Sequence, residues 1–320
     1  MDNGVTLCSL AYNNGQFIVK SLESVKNQIN VKVNHLIIDD CSTDDTVELI
    51  SNWIQLNNYK CDFIVNKKNQ GITKNLNTAI SKTSTKYFMG LGDDILLPNK
   101  ISNDLKKMEA LPSDYAVVFS DMYRVNDSYD RIDNVSFLEK SFTNYPNIPS
   151  GDVHKQLLKL NFVTAPTAIS KTHALKAVGG YDESLYFEDW DMWLRLSEKG
   201  YKIYFDNRVE TEYLILSTSI SGKGLTPKYC QCVLQILYKQ FHKKDYSNSL
   251  IIDSFIEYSE LLHKFKDSKT SYWYKKRKEI DKSISTKMLY LLSKLKLPYK
   301  ISKYINNFLS KVKVKLSGVK

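Results

Sequence analysis

Cysteine is scarce in this 320-residue chain, which has only five. The number is odd and no CxxC spacing occurs, so a disulfide framework and a zinc ribbon are both excluded. Thiols that are neither paired nor metal-bound are typical of a reducing compartment. We therefore expect a cytoplasmic protein.

Long apolar runs are also lacking. Eighteen consecutive apolar residues occur nowhere, so we expect no membrane-spanning helix. The first basic residue is Lys20, so the sequence does not open with the basic segment of a secretory signal. Apolar residues still make up 42% of the chain and aromatic residues 12%, which is enough for a real core and excludes disorder for most of it.

Acidic residues become rare toward the C-terminus. Residues 1–222 contain 23 Lys and Arg against 28 Asp and Glu, whereas residues 223–320 contain 22 against 7. No acid follows Asp281, and ten lysines lie among apolar residues after it. The shift coincides with the structure breakers Gly224 and Pro227. It predicts two regions, one over 1–222 and a basic helical one over 223–320.

Glycine-rich phosphate loops are missing. A dinucleotide site needs GxGxxG after the first strand, where only Gly15 is present. Gly90 and Gly92 lack the third glycine, and GxxxxGK[ST] occurs nowhere. Nicotinamide-dependent dehydrogenases and P-loop nucleotidases are therefore excluded.

Short apolar runs alternate with helical periodicity through the first half of the chain. Runs typical of strands occupy residues 5–10, 35–38, 63–65, 87–91 and 116–124. The first four are each followed by a helical pattern, which predicts an α/β fold with a mostly parallel sheet. Ligands of such sheets bind beyond the carboxyl ends of the strands.

Two pairs of acids follow predicted strands directly, Asp39 with Asp40 and Asp93 with Asp94. Parallel strands end at one edge, so these carboxylates should crowd together and need compensation. Mg²⁺ or Mn²⁺ would supply it, since both prefer hard oxygen ligands. Each pair could instead cap the next helix, and this alternative stays open.

Five short segments then share a recognisable pattern in chain order. They are VTLCSLAYN at 5–13, LIIDDCSTDDT at 36–46, NQGITKN at 69–75, GDDILLP at 92–98, and GGYDE at 179–183 with EDWDMWLRL at 188–196. Together they resemble family 2 glycosyltransferases of bacterial O-antigen and capsular polysaccharide synthesis, which have the GT-A fold. The resemblance covers roughly residues 3–221.

The resemblance implies an inverting, metal-dependent glycosyltransferase. A hexose or N-acetylhexosamine would pass from a nucleotide-diphosphate sugar, expected to carry UDP, to a hydroxyl of a polyprenyl-diphosphate-linked saccharide. The product would belong to a bacterial surface polysaccharide, either lipopolysaccharide O-antigen or capsule. The cofactor would be Mn²⁺ or Mg²⁺.

The resemblance also assigns residues to the donor side. The implied nucleotide-sugar-binding residues are Ala11, Tyr12, Asp39, Asp40, Lys74 and Asp93. Asp94, with Asp93, would hold the metal. Many members carry a histidine near the metal at the position of Leu216, so this chain departs from the pattern there.

On the acceptor side, Asp189 is the implied general base and Asp191 the second choice. On a helix these two side chains point about 200° apart, so only one should face the site. Glu188 and Asp191 would contact the acceptor.

The basic region allows other interpretations. Residues 282–320 predict amphipathic helices that dock on the anionic inner face of the cell membrane, with lysines between apolar residues. Alternatively, a helical pair packs on the first region and exposes a lysine face. Two other functions remain open, a nucleic-acid-binding protein and a sugar nucleotidyltransferase. Arg277 is the only arginine after residue 222, which argues against base readout, so no nucleic-acid partner is expected.

Overall fold

The computed structural model describes residues 2–217, 219, 222–244 and 247–307, with side chains from residue 4 onward. The chain divides into two compact units. The first contains Met1–Leu157 and Asn161–Lys223. The second contains Leu158–Leu160 and Gly224–Lys320.

Eight strands of the first unit form a single sheet. They are β1 (Asp2–Ala11), β2 (Val33–Asp39), β3 (Asp62–Val65), β4 (Thr85–Leu91), β5 (Ile95–Leu96), β6 (Tyr115–Val125), β7 (Ile169–Lys171) and β8 (Lys202–Leu214). Their order is β3-β2-β1-β4-β7-β6-β8-β5. The pairs within β3-β2-β1-β4 are parallel, as is β6 with β8. The predicted α/β fold with a mostly parallel sheet is confirmed.

Helices connect these strands. They are α1 (Gly15–Lys26), α2 (Thr46–Leu56), α3 (Ile72–Lys82), α4 (Lys100–Ala110), α5 (Phe137–Ser141), α6 (His154–Lys159), α7 (Thr172–Ala177) and α8 (Asp189–Glu198). A 3-10 turn covers Ala165–Thr167. The alternation of strands and helices in the sequence did not reveal the short strand β7, which is antiparallel to both β4 and β6. Three residues are too few to show a period.

Two of the hydrophobic clusters among the described residues of this unit pack around its inner strands. One joins Val5 and Leu7 of β1 to Met89 of β4 and Ile101 of α4. The other joins α1 and α2 to β2, with Ile37 of β2 at 0% exposure. Successive side chains of a strand point to opposite faces, so each inner strand can serve a core on either side.

Helix α1 also fixes the segment that follows β4. The Ser21 hydroxyl donates to the Gly92 carbonyl at 3.0 Å. The Leu96 amide donates to the Ser24 hydroxyl at 3.1 Å. These two bonds hold both ends of the turn that carries the second acid pair.

The second unit is helical, which confirms the predicted C-terminal helical region. It contains α9 (Pro227–Lys239), α10 (Ser247–Lys264), α11 (Thr270–Ile280) and α12 (Ile284–Lys294), and residues 299–307 are helical as well. Among the described residues, no helix combines the length and the apolar character needed to cross a membrane. Two apolar residues of the predicted amphipathic tail, Phe308 and Leu309, lie outside the described residues.

A buried ion pair braces the first unit. Lys100 and Asp104, one turn apart in α4, form an ion pair in which both side chains are fully buried. The Lys100 ammonium also donates to the Thr167 carbonyl at 2.7 Å. Burial raises the pKa of Asp104 to about 6, although Lys100 opposes the shift. The lysine therefore links α4 to the 3-10 turn.

We predict that Lys100→Met lowers the free energy of unfolding by about 3–5 kcal/mol, because it leaves Asp104 buried without its partner. Urea unfolding followed by tryptophan fluorescence measures the loss. Lys86→Met is the matched control, since Lys86 pairs with Glu109 in a largely exposed position and should change stability by less than about 1 kcal/mol. Equal losses in the two variants would contradict the bracing role.

Candidate active site

A cavity of about 690 Å³ lies at the carboxyl ends of β1 and β4. The loops after these strands, the start of α3 and the segment around the 3-10 turn also line it. Six of the residues assigned from sequence are among its lining residues: Ala11, Tyr12, Asp40, Asp93, Asp94 and Glu188. The other four, Asp39, Lys74, Asp189 and Asp191, are not. The carboxyl edge of the sheet thus gathers acids from distant parts of the chain.

Asp39 is fully buried and engaged with its own turn. Its carboxylate accepts a hydrogen bond from the Ser42 amide at 2.9 Å and another from the Ser42 hydroxyl. Cys41, inside this turn, has φ of +67°. Asp39 therefore shapes the loop after β2 and presents no oxygen to the cavity.

Asp40 connects β2 to the loop before α3. Its carboxylate accepts from the Asn66 side chain at 3.0 Å and from the amides of Gln70 and Gly71 at 2.8 and 2.7 Å. Burial alone would raise the pKa of Asp40, but these bonds and one from Asn75 lower it. Asp40 therefore stays ionised while it holds the loop at the cavity wall.

The N-terminal end of α3 faces the cavity through Gly71, Ile72 and Asn75. Unpaired amides and the helix dipole make such an end favourable for anions. Lys74 lies in the same first turn, and its side chain is exposed. Tyr12, which also lines the cavity, is half-exposed, with 50% of its surface accessible.

Asp93 and Asp94 bring two adjacent carboxylates to the end of β4. Asp94 is 4% exposed and accepts from the Leu214 amide at 3.0 Å. Burial raises the pKa of both groups, and the charge of Asp93 raises that of Asp94 further. In the described part of the chain, neither carboxylate forms an ion pair with a basic side chain. Within this part of the chain, the acid pair therefore has no positively charged partner.

This arrangement fits a divalent metal. Mg²⁺ in particular binds through one or two carboxylates and takes its remaining ligands from substrate phosphates and water. Within the described residues, no group of three or more His, Cys, Asp or Glu side chains could hold a metal, so these residue types would supply at most two ligands here. Leu216, at the position of the family's histidine, lines the same cavity and packs beside Leu214 and Phe17.

Tyr129 is a neighbour of the acid pair that sequence reasoning missed. Burial and the charges of Asp93, Asp94 and Glu212 raise its pKa to about 12. Its hydroxyl is buried without a hydrogen-bond partner, and the Lys20 ammonium lies 3.6 Å from its ring centre. Tyr129 belongs to a polar loop without periodicity or motif, so no signal in the sequence pointed to it.

Asn77 of α3 fixes the GGYDE segment and was also missed. Its side chain accepts from the Tyr181 amide at 2.7 Å, and donates to the Tyr181 carbonyl at 2.9 Å and to Glu183 at 3.0 Å. Gly180 has φ of +73°, and a Cβ there would lie 2.5 Å from the Asn77 oxygen. Tyr181, held in this way, lines the cavity.

The three acids at the start of α8 have different surroundings. Asp189 accepts from the Asn161 side chain at 2.9 Å and from the Trp190 amide at 2.8 Å. Asp191 is fully buried and pairs with Arg195 at 2.7 Å. Glu188 lines the cavity, and burial together with the charge of Asp189 raises its pKa to about 8.

Comparison with known proteins gives the family. The model of the family described as "Glycosyl transferase family 2" matches residues 6–178, more than half of the chain. The chain belongs to glycosyl transferase family 2. The resemblance inferred from the five motifs is thereby confirmed, and the family match includes both acid pairs and Tyr12.

Two curated relatives of this family 2 member have similar sequences. An uncharacterised glycosyltransferase of Methanocaldococcus jannaschii is 26% identical over 201 residues, which is 62% of this chain and 66% of the relative. The chain thus spans slightly less than two thirds of that relative's length. The Escherichia coli UDP-Glc:alpha-D-GlcNAc-diphosphoundecaprenol beta-1,3-glucosyltransferase WfaP is 28% identical over 223 residues, 68% of this chain and 80% of the relative.

A solved structure supports the GT-A fold. The mannosyltransferase PcManGT of Pyrobaculum calidifontis, in complex with GDP-Man and Mn²⁺, aligns with a TM-score of 0.61. The alignment covers 98% of this chain and 87% of that one at 14% identity. At this identity the likeness concerns the fold alone.

We predict that Gly180→Ala lowers the free energy of unfolding by about 1–3 kcal/mol, through the positive φ and the collision with Asn77. Gly92→Ala is the matched control, because nothing lies within 4 Å of a Cβ at Gly92 and its φ is not positive. Urea unfolding of both variants measures the difference. A Gly180→Ala protein as stable as the control would show that the turn is not constrained.

Proposed function

We propose that this family 2 member is an inverting glycosyltransferase of bacterial surface polysaccharide synthesis. It transfers a hexose or N-acetylhexosamine from a UDP-sugar to a hydroxyl of a lipid-diphosphate-linked saccharide. The observation that carries the proposal is the single cavity that collects Tyr12, Asp40, the Asp93–Asp94 pair and Glu188. Its volume of about 690 Å³ lies within the usual range of about 300–1,000 Å³ for small-molecule sites.

The donor occupies the part of the cavity between β1, β4 and α3 in this proposal. Tyr12 offers an exposed ring beside Ala11 for the nucleobase, and Asp40 holds the loop that faces it. The start of α3, with Lys74 in its first turn, favours the diphosphate. The UDP-Glc in the name of the Escherichia coli relative supports uridine as the base.

Asp93 and Asp94 would hold Mn²⁺ or Mg²⁺ in the same proposal. When bound, the metal would neutralise charge on the leaving nucleoside diphosphate, a contribution of several kcal/mol. The buried Asp94 and the partly buried Asp93 have no basic partner among the described residues, which supports this assignment, as does the Mn²⁺ of the Pyrobaculum complex. The chain's own part is to keep both carboxylates at the end of β4 through the bonds of Ser21 and Ser24.

The acceptor approaches from the side of α8. Glu188 and Tyr181 line the cavity there, and Asp189 and Asp191 stand behind them in the helix. A diphosphoundecaprenol acceptor appears in the name of the Escherichia coli relative, which supports a lipid-linked saccharide. Such an acceptor would be confined to a membrane surface.

A face of α12 supports docking on the anionic inner face of the cell membrane. Ile284, Leu291 and Leu295 are 50%, 54% and 69% exposed. At spacings of seven and four residues they lie within about 40° around the helix axis. Exposed Lys287 and Lys294 lie along one side of them. Such a face can insert apolar side chains while each lysine near the surface adds about 1 kcal/mol.

The opposite face of α12 belongs to the core of its own unit. Leu289 and Leu292, which the sequence pattern grouped with the membrane residues, are 0% and 7% exposed. The His263 side chain contacts the Leu297 carbonyl at 2.8 Å, and the Tyr299 hydroxyl donates to Glu260 at 2.6 Å. Only part of the apolar pattern is therefore available to a membrane.

The metal assignment predicts that Asp94→Ala lowers transfer by at least about 100-fold, since removal of a ligand costs several kcal/mol of stabilisation. EDTA should have the same effect on the wild type, and Mn²⁺ or Mg²⁺ should restore activity. Release of UDP from UDP-glucose and UDP-GlcNAc, with a saccharide on a synthetic lipid diphosphate as acceptor, measures transfer.

Asp62→Ala is the matched control, because Asp62 is an exposed acid at the start of β3, away from the carboxyl edge of the sheet. It should retain wild-type activity. Full activity of the wild type in excess EDTA would contradict the role of the metal.

For the membrane face, we predict that Leu291→Ser with Leu295→Ser weakens binding of the full chain to anionic vesicles several-fold. The two changes remove exposed apolar surface without touching the packed face of α12. Co-sedimentation with phosphatidylglycerol-containing vesicles measures binding, and raised salt should weaken it as well. Leu56→Ser, at an 86% exposed leucine of α2, is the control. Equal binding of all three proteins, or binding indifferent to lipid charge, would rule the face out.

A further inference from the structure

A second cavity of the first unit, of about 490 Å³, lies outside the candidate active site, and we call it the back cavity. Its walls come from the start of β4, the end of α4 with the segment that follows, and the stretch from β7 into α7. In the described part of the chain, it shares no lining residue with the active-site cavity. Its volume lies within the usual range of about 300–1,000 Å³ for small-molecule sites. The back cavity is therefore large enough for a ligand of its own.

The paired strands β4 and β7 separate the two cavities. Tyr87 pairs with Lys171, and Phe88 pairs with Ser170. Tyr87 and Lys171 line the back cavity, whereas Phe88 and Ser170 line the active-site cavity. Successive residues of a strand point to opposite faces, so each pair belongs to one cavity. The back cavity is therefore not an extension of the active site.

Lys171 is a buried cation of the back cavity. Its side chain is 6% exposed, and its ammonium donates to the Ser113 carbonyl at 3.0 Å. An ammonium has three N–H donors, so two of them lack a partner among the described residues. Burial lowers the pKa of Lys171, and the charge of Lys86 lowers it further. A buried charge is costly unless an opposite charge compensates it.

The two acids whose charges act on Lys171 have other basic partners. Glu109 pairs with Lys86 at 2.8 Å and also accepts from the Tyr87 hydroxyl. Asp114 pairs with Lys202 at 2.7 Å. Neither acid is within ion-pair distance of Lys171, although both favour its charged form. Within the described residues, Lys171 is thus left without a direct anionic partner.

His173 supplies a further polar group. It lines the back cavity two residues after Lys171, and its ring centre lies 6.1 Å from that of Tyr201. Burial and the charges of Lys171 and Lys86 lower its pKa, so the imidazole is neutral at pH 7. Two ammonium groups against the carboxylate of Glu109 leave one positive charge, and protonation of His173 would make it two. The cavity thus matches a dianion.

We propose that the back cavity binds a dianionic phosphoryl group, either inorganic phosphate or the phosphate of a small organic ester. The Lys171 ammonium donates to the phosphoryl oxygens, Lys86 adds a second positive charge, and His173 donates once it is protonated. Lysine commonly binds phosphate in this way, as a point charge. Met108 and Leu111 offer apolar surface to the organic part of an ester. The proposal does not rest on the proposed transfer reaction.

The test is calorimetric titration of the full-length protein with inorganic phosphate and with phenyl phosphate. We expect Lys171→Met to weaken binding at least about tenfold, because it removes charge-assisted hydrogen bonds and keeps most of the side-chain volume. Lys176→Met is the matched control, since Lys176 also donates to a backbone carbonyl, that of Thr83, but does not line the cavity. It should bind as the wild type does. Tighter binding of phenyl phosphate would identify an ester as the ligand, and tighter binding of phosphate the free ion.

Two further measurements locate the anion without changing a buried residue. Lys86→Met should weaken binding several-fold. The imidazole resonances of His173, identified by their loss in His173→Gln, should shift when phosphate is added. Sulfate stays a dianion from about pH 5 to 8, and its affinity should fall as pH rises, because a bound anion raises the pKa of His173 and binding takes up a proton. His173→Gln should remove this pH dependence.

Equal phosphate binding by the wild type, Lys171→Met and Lys86→Met would overturn the proposal, because the ion would then be held elsewhere on the surface. Failure of the wild type to bind either probe at millimolar concentration would overturn it as well. Urea unfolding checks that each variant is folded. If Lys171→Met does not fold, Lys86→Met and the His173 resonances decide the matter.

Discussion

Negative charge that lacks a cationic partner is the constraint on which the active site depends. Asp93, Asp94 and Glu188 line one cavity, and burial raises the pKa of each. Holding such groups together costs free energy, which the surrounding fold must supply. Because of this cost, binding of a divalent cation at Asp93 and Asp94 and of a proton at Glu188 is favourable. The proposed transfer would need both properties, the first for the departure of the diphosphate and the second for deprotonation of the acceptor hydroxyl.

The fold tolerates this charge because polar side chains bridge the loops that carry it. Ser21 and Ser24 hold the turn after β4, Asp40 holds the loop before α3, and Asn77 holds the GGYDE segment. Each bridge joins segments that are distant in the chain. Their hydrogen bonds satisfy backbone groups that would otherwise be unpaired in irregular loops. The carboxylates are thereby held in place at the edge of a rigid sheet.

In the second unit, a partly buried acid is paired with basic side chains, and other lysines lie at the surface. Glu260 is surrounded by Arg277, Tyr299 and Lys303, so its one carboxylate collects several donors. Both lysines of α12, Lys287 and Lys294, are exposed, as is Leu291 of the same helix. The lysine-rich composition therefore contributes to the surface of this unit more than to its interior. This division supports the proposed docking on an anionic membrane.

The sequence by itself determined the fold class, the family and the position of the acid pairs, because these follow from local patterns. Alternating apolar runs set the sheet, and motifs such as GDDILLP come directly after a strand. Only the tertiary structure decided which oxygens are available. Asp39 and Asp40 are neighbours, yet one shapes its own turn and the other lines the cavity. Glu188 and Asp189 differ in a similar way, because Glu188 lines the cavity whereas hydrogen bonds from Asn161 and from the Trp190 amide engage Asp189. Tyr129 lies near the acid pair and Asn77 holds Tyr181, and neither residue belongs to a motif. Contacts between segments far apart in the chain produce no periodic pattern in the sequence of either segment. The roles of Tyr129 and Asn77 therefore could not be predicted from the sequence.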